Sequence, residues 1–223
     1  MFQSKKDIAK ERLLDAILSG RYEPGTYLRQ NDIAADLNLS STPVREAFSE
    51  LQVEGLLVHE SHRGFRVAQL HRRRVEQIYA TRKIVEPAAA RLAVANMTAS
   101  AAAELSDLLD DMQRQRAAGD FAKMMVSNDN FHRTLFLLSG NEILVELIER
   151  LWNSFPRFLP WTLAGRQETS LAEHARIVSA VNSGDADKLA AAYEAHLDNA
   201  RDLFLAYLVT DDNGTASPGQ AEQ

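Results

Sequence analysis

The stretch from Leu39 to Val67, LSSTPVREAFSELQVEGLLVHESHRGFRV, leaves this chain few ways to fold. Thr42 followed by Pro43 predicts a helix start. A threonine hydroxyl can accept from an unpaired first-turn N–H, and proline at the first helical position gives up an N–H that has no partner there. Behind them Val44, Ala47, Phe48 and Leu51 recur at helical spacing and predict one buried stripe, with Arg45, Glu46 and Ser49 on the opposite face. Gly55 ends the helix, and Leu56-Leu57-Val58 leads into a short hairpin with His62-Arg63-Gly64 at its tip and Phe65 and Val67 on the return strand. A helix with a polar, basic start followed by a hairpin with Arg and Gly at its tip predicts a winged helix-turn-helix. The helix start can enter a major groove, and the wing can touch the adjacent backbone or minor groove.

Upstream, Asp7 to Ser19 predicts a first helix with Ile8, Leu14, Ile17 and Leu18 apolar and Gly20 closing it. Asn31 to Leu37 predicts a second, with Ile33, Ala34 and Leu37 inward and Asn38 at the corner. After a linker from Ala68 to His71, everything reads as helical. Arg72 to Val94 is amphipathic, marked by Val75, Ile78, Tyr79, Val85 and Leu92. Thr98 and Asp120 are expected to cap the next two helices, the latter running to Ser139. Glu142 to Phe155 forms another, broken at Pro156, and Pro160 interrupts the next segment. Ser170-Leu171-Ala172-Glu173 has the pattern of a capping box opening a helix that closes at Gly184, and Asp185 caps a last helix ending near Val209. Residues 210–223 hold too little apolar content to fold and are expected to be a disordered tail. The fold class is therefore mainly α: an N-terminal winged helix-turn-helix with a small β-hairpin wing over residues 1–70, then a C-terminal antiparallel α-helical bundle over residues 71–209.

The formal net charge of −6 is unusual for a chain expected to meet nucleic acid. It divides as −1 over residues 1–70 and −5 over residues 71–223, so neither half is basic and contact with DNA must rest on local placement of charge. With no cysteine there is no disulfide framework and no thiolate metal site, and a reducing cytoplasm is the expected compartment. No signal-peptide core and no run of about 18 apolar residues occurs, so no membrane span is expected.

TPVREA, then EGLL, then RGF-V, with Pro24-Gly25 upstream, resembles the DNA-binding domain of the GntR family of bacterial transcription regulators over residues 8 to 68. Beyond it, TRKIVEPAAARLA, NDNFHRTLFLLSGN and EHARIVSAVNSGDADKLAAAYEAHL resemble the FCD ligand-binding domain of the FadR subfamily. The resemblance implies a homodimer on a pseudo-palindromic double-stranded DNA operator. It implies contacts from Ser40, Ser41, Thr42 and Arg45 at the recognition helix, Asn31 in the helix before it, and Arg63 and Gly64 at the wing. Two positions depart: Ser41 and Asn31 stand where members commonly carry arginine, and each lost guanidinium removes a possible bidentate contact to guanine or phosphate.

Three of the six histidines, His132, His174 and His196, fall on three different predicted bundle helices. Asn128 lies one turn before His132 on the same face. Imidazoles meeting from three helices make a divalent-metal site, whereas separate ones only pack or hydrogen-bond. The resemblance implies the first: His132, His174 and His196 match the metal ligands of the subfamily, and Asn128 stands where an aspartate is usual. Zn, Ni and Mn all suit a nitrogen-rich set. Arg82, with Tyr79 one turn before and Glu86 one turn after, reads either as half of an Arg82–Glu86 surface pair or, by resemblance, as the partner of a small carboxylate effector. Three function classes stay open on residues alone: a ligand-responsive regulator, a DNA-binding module with a metal-free bundle, and a metal-dependent enzyme. The last lacks an HExxH motif and an acid beside the histidines placed as a general base.

Overall fold

The computed structural model describes residues 4–18, 21–61, 63–69, 71–155 and 165–212. The chain separates into two compact units, Met1–Leu70 with Trp152–Arg157, and His71–Leu151 with Phe158–Gln223. Gly20, His62, Pro156, Pro160 and residues 213–223 of the expected tail lie outside the described residues.

The first unit holds α1 (Lys5–Leu18), β1 (Tyr27–Leu28), α2 (Gln30–Leu37), α3 (Ser41–Val53), β2 (Leu57–Glu60) and β3 (Gly64–Val67). The stripe of α3 is as its spacing predicts: Val44, Ala47, Phe48 and Leu51 are fully buried, each large one contributing about 1.5–3 kcal/mol by leaving water. Its start differs. Ser40, not Thr42, occupies the N-cap, without a side-chain cap bond, so Thr42 and Pro43 lie inside the first turn. Proline is tolerated anywhere in that turn because none of its N–H groups has a helical partner. In α1 the buried residues are Ala9, Leu13 and Ala16, while Ile8, Leu14 and Ile17 are only half-buried. The stripe is shifted by one position because small alanines let α1 pack closely on α3. Asn38 makes the corner in the left-handed region (φ 54°), which asparagine tolerates. The wing is a three-stranded antiparallel sheet in the order β1-β3-β2, with Tyr27 opposite Arg66 and His59 opposite Phe65. Strand β1, too short to show a period, was invisible in the sequence pattern.

The second unit comprises α4 (Arg72–Ala93), α5 (Ala99–Ala117), α6 (Phe121–Leu137), α7 (Glu142–Trp152, whose last residue groups with the first unit), α8 (Arg166–Ser183) and α9 (Ala186–Asp212). Thr98 accepts from the Ala101 N–H, Asp120 from Lys123 N–H, and Asp185 from the Asp187 and Lys188 N–H groups, as their spacing predicts. Ser170 and Glu173 do not form a capping box: the N-cap of α8 is Gly165, five residues earlier, and both residues are buried in the helix interior. Residues 210–212, expected in the tail, continue α9. Leu92, expected on the inner face of α4, is exposed, while Tyr79, Ala89, Ala90 and Ala93 are buried. The helices packed most extensively on one another are α4 with α9 and α6, α5 with α6 and α8, and α8 with α9. Side chains from α6, α8 and α9 meet in the interior, His132 against both His174 and Tyr193.

Candidate functional site

Three of those helices each deliver one histidine to that interior. His132 from α6, His174 from α8 and His196 from α9 are all buried, and one ring nitrogen from each lies within 4.8 Å of the others. Every Nδ1 has a partner. His174 Nδ1–H donates to the Ser170 carbonyl at 2.7 Å, one turn back on its own helix. His196 Nδ1–H donates to Glu173 Oε2 at 2.7 Å, and His132 Nδ1 bonds to the Tyr193 hydroxyl. Nε2 is then the ring atom able to face an ion, an orientation that partners at Nδ1 characteristically fix. His174 Nε2 and His132 Nε2 are 3.2 Å apart, close to the ~3.3 Å edge of a tetrahedron with ~2.0–2.1 Å metal–nitrogen bonds.

Electrostatics keep the His174 and His196 rings neutral and so competent as ligands. Burial pushes His174 down to about 3, with nearby His196 adding to the shift. Burial also lowers His196, against the opposing pull of Glu173, so their contact is a neutral imidazole donating to a carboxylate. Glu173 stays below the usual carboxylate range although burial works the other way, because His196, Arg166 and Asn199 all stabilise its charge. Arg166 Nη1 lies 3.0 Å from both Glu173 oxygens, and Asn199 Nδ2 donates to Oε1 at 2.9 Å.

Asn128 tests whether this cluster fits a cation. Its Nδ2 donates to Asp129 Oδ1 at 3.2 Å, and its Oδ1 is buried with no hydrogen-bond partner. A desolvated amide oxygen without a donor costs about 1–3 kcal/mol, and a cation beside it would remove that cost. Three neutral imidazoles and one orphaned amide oxygen suit a divalent ion with a nitrogen-rich preference.

Arg82 is not half of a surface pair. It is buried on α4 with Glu86, Nε donating to Oε1 at 2.6 Å and Nη2 to Oε2 at 3.3 Å, and its guanidinium sits 4.8 Å over the Tyr79 ring. Burial alone would lower its pKa, but Glu86 outweighs this and raises it. Both Arg82 and Arg166 help depress His196, so two guanidiniums stand within electrostatic reach of the histidines.

In the first unit, Ser40, Ser41, Thr42 and Arg45 are exposed around the first turn of α3, and Asn31 is exposed in the first turn of α2. Gly64 (φ 90°) turns the hairpin in a region that favours glycine, and Arg63 beside it is exposed. Arg63 Nη1 donates to the Tyr27 hydroxyl at 3.3 Å; that hydroxyl donates to Glu60 Oε2 at 2.6 Å, and Arg66 Nε holds Glu60 Oε1 at 2.8 Å. This surface network orders the wing tip through β1.

Sequence reasoning missed Tyr27 and Glu60 at the wing, and Arg166, Ser170, Glu173 and Tyr193 in the bundle. The bundle residues carried a signal in their spacing: Ser170 is one turn before His174, Tyr193 one turn before His196, and Glu173 adjoins His174.

Residues 5–67 match the bacterial regulatory proteins of the gntR family, and residues 77–199 match the FCD domain. The chain is 30% identical to the Nta operon transcriptional regulator of Aminobacter aminovorans, over 84% of this chain and 89% of that one. It is 32% identical to the HTH-type transcriptional regulator McbR of Escherichia coli K12 over 70% of each. The solved structure of E. coli McbR/YncC superposes with a TM-score of 0.64 at 26% identity, covering 92% of this chain and all of that one. These relatives are regulators rather than enzymes, and no described helix is long and apolar enough to cross a membrane. The chain belongs to the GntR family of bacterial transcription regulators, with an FCD ligand-binding domain after its helix-turn-helix.

Proposed function

We propose that this regulator, of the FadR subfamily, binds a pseudo-palindromic operator as a homodimer through residues 1–70, and that a small organic acid at a metal centre in residues 71–209 controls its affinity for DNA. Regulators of the GntR family bind DNA and are typically dimers. One winged helix reads too few base pairs for a unique site, and a two-fold pair places recognition helices in half-sites about 34 Å apart. Arg45 is the specificity contact at the start of α3, flanked by Ser40, Ser41 and Thr42; Asn31, Arg63 and Gly64 position the backbone.

The observation that carries the effector site is the convergence of three Nδ1-anchored histidines, with the orphaned oxygen of Asn128 one turn before His132 on the same helix. His132, His174 and His196 would hold a divalent ion, Zn, Ni or Mn, with Asn128 as a fourth ligand. When bound, the ion supplies a Lewis-acidic anchor for a carboxylate oxygen. The protein's own groups do the rest. Ser170 and Glu173 hold the Nδ1 protons of His174 and His196, which leaves Nε2 of each as a lone pair. The 3.2 Å contact between the His132 and His174 Nε2 atoms then requires His132 to carry a proton on Nε2 in the ion-free state, with Tyr193 O–H donating to its Nδ1. To serve as a ligand through Nε2, His132 would instead carry its proton on Nδ1, with the Tyr193 oxygen accepting it. Arg82, held by Glu86 and set over the Tyr79 ring, is the cationic group offered to the acid. Because α4 carries both and follows directly on residues 68–71, a displacement of α4 is the route by which the effector reaches the DNA-binding unit.

The test is an anisotropy titration of operator DNA with dialysed protein, with and without zinc and candidate acids, in wild type and His174→Ala. Wild type should change its operator affinity only when ion and acid are both present, and His174→Ala should bind DNA but ignore both. A full effector response in His174→Ala would reduce the three histidines to packing residues.

A further inference from the structure

Residues 1–70 carry a net charge of −1, so any hold on a polyanion rests on the few cations left free there. Most are already engaged inside the first unit. Lys6 and Lys10 pair with Glu50, Lys10 also with Glu54, Arg21 with Asp36 and Arg66 with Glu60. Arg12 donates to the Leu37 carbonyl and Arg63 to the Tyr27 hydroxyl. Among the described residues, Lys5, Arg29 and Arg45 remain as exposed cations with neither an ion pair nor a hydrogen bond from the side chain. Lys5 opens α1, outside the helix-turn-helix and the wing, and Arg45 stands at the start of α3. Arg29 has no role in the fold.

Its place in the backbone is defined from both sides. It follows Leu28, which pairs with Phe65 of β3 and whose carbonyl lies 3.8 Å from where a Cβ on Gly64 would stand. It is also the N-cap of α2, extended at φ −96° and ψ 128°, with its carbonyl accepting from the Ile33 N–H at 3.0 Å. Arginine is a poor residue for that position. A guanidinium has no acceptor to offer the first-turn N–H groups, and its charge has the same sign as that end of the helix dipole. Asp32 stands three residues on, yet no ion pair joins the two. The helix gains nothing from this side chain, which leaves an anion from outside the protein as its partner. In a helix-turn-helix the first helix crosses the phosphate backbone while the second enters the major groove.

We propose that Arg29 is a phosphate anchor of the helix-turn-helix, binding a backbone phosphate of the DNA where β1 passes into α2, the contact that the short, uncharged Asn31 does not supply. Arg29 fixes position on the duplex and carries no sequence information. The inference rests on the DNA-binding reading above and adds to it a residue.

The experiment titrates full-length protein against a duplex that the wild type selects from a random pool, and against a scrambled duplex of the same composition, across a series of salt concentrations. Arg29→Ala should flatten the dependence of log affinity on log salt by about 0.9 for each bound subunit. Between about 50 and 200 mM salt, the wild type should therefore lose about 3–4-fold more affinity than the variant for each bound subunit. Both duplexes should be weakened alike, so that their affinity ratio is kept, and Arg29→Lys should keep the wild-type slope. Thermal melting establishes that both variants are folded. An unchanged slope in Arg29→Ala would overturn the proposal. A slope lost equally in Arg29→Lys, which keeps the charge, would also overturn it and make the arginine a structural residue. A fall in the affinity ratio would make Arg29 a reader of bases rather than of phosphate. Wild-type protein that binds neither duplex would overturn the DNA-binding reading itself, whereas the other adverse results leave that reading standing.

Discussion

Glu173→Gln, the smallest change available at that position, should be among the most damaging in the helical unit. The carboxylate accepts on both oxygens: Oε1 from Arg166 and Asn199, Oε2 from Arg166 and His196. A glutamine must place its NH2 on one side or the other. Either orientation sets an amide donor against two existing donors and leaves the buried Arg166 cation without a counter-charge. Breaking a buried ion pair from one side costs about 3–5 kcal/mol, a large part of the ~5–15 kcal/mol that keeps a domain folded. For a chain of this size that corresponds to a fall of roughly 6–20 °C in Tm. Urea denaturation of metal-free protein, followed by helical ellipticity, measures the free energy directly. Arg166→Met combined with Glu173→Gln should lose less than the sum of the two single variants, because the orphaned charge is gone. A loss below ~1 kcal/mol for Glu173→Gln would refute the reasoning, since an ion pair worth so little is characteristic of exposed ones.

Tyr193→Phe should keep the fold but weaken zinc binding by about 10–100-fold in a chelator competition, because His132 loses the partner that fixes its Nδ1. Arg45→Ala should lower the salt dependence of operator binding by about one unit if Arg45 meets a phosphate, or relax one base position by about 1–3 kcal/mol if it reads a guanine; anisotropy titrations across salt and operator variants distinguish the two. Metal-free protein should lose stability as pH falls below 6.5: the unfolded chain then takes up a proton that His174, held near 3 by burial, refuses, and His196 acts with the same sign. The slope should reach up to about 1.4 kcal/mol per pH unit for each such histidine, and a flat stability profile between pH 7.5 and 5 would contradict it.

Signals that act within one turn were legible in the sequence. Thr98, Asp120 and Asp185 cap because a short side-chain oxygen reaches an N–H two or three residues on without needing anything else in the fold. The stripe of α3 and the glycine at the wing were legible for the same reason. The Ser170–Glu173 pattern misled because a serine and a glutamate three apart also share one face of a helix interior, and here that face looks into the polar core. Nothing local distinguishes the two uses; Arg166, Asn199 and His196 do, and they lie up to 26 residues away from Glu173. The Arg82–Glu86 pair was legible as a contact but not as a buried one, since burial depends on the helices packed over α4. The histidines were legible as a set only through the family resemblance, whereas their Nδ1 partners follow from packing alone.

The most direct test of the central claim is a zinc K-edge X-ray absorption spectrum of the loaded protein after exhaustive dialysis. Three imidazole nitrogens at about 2.0–2.1 Å, with oxygen completing the shell and one imidazole fewer in His174→Ala, is the expected result. A spectrum of oxygen ligands alone, or zinc lost on dialysis, would contradict it.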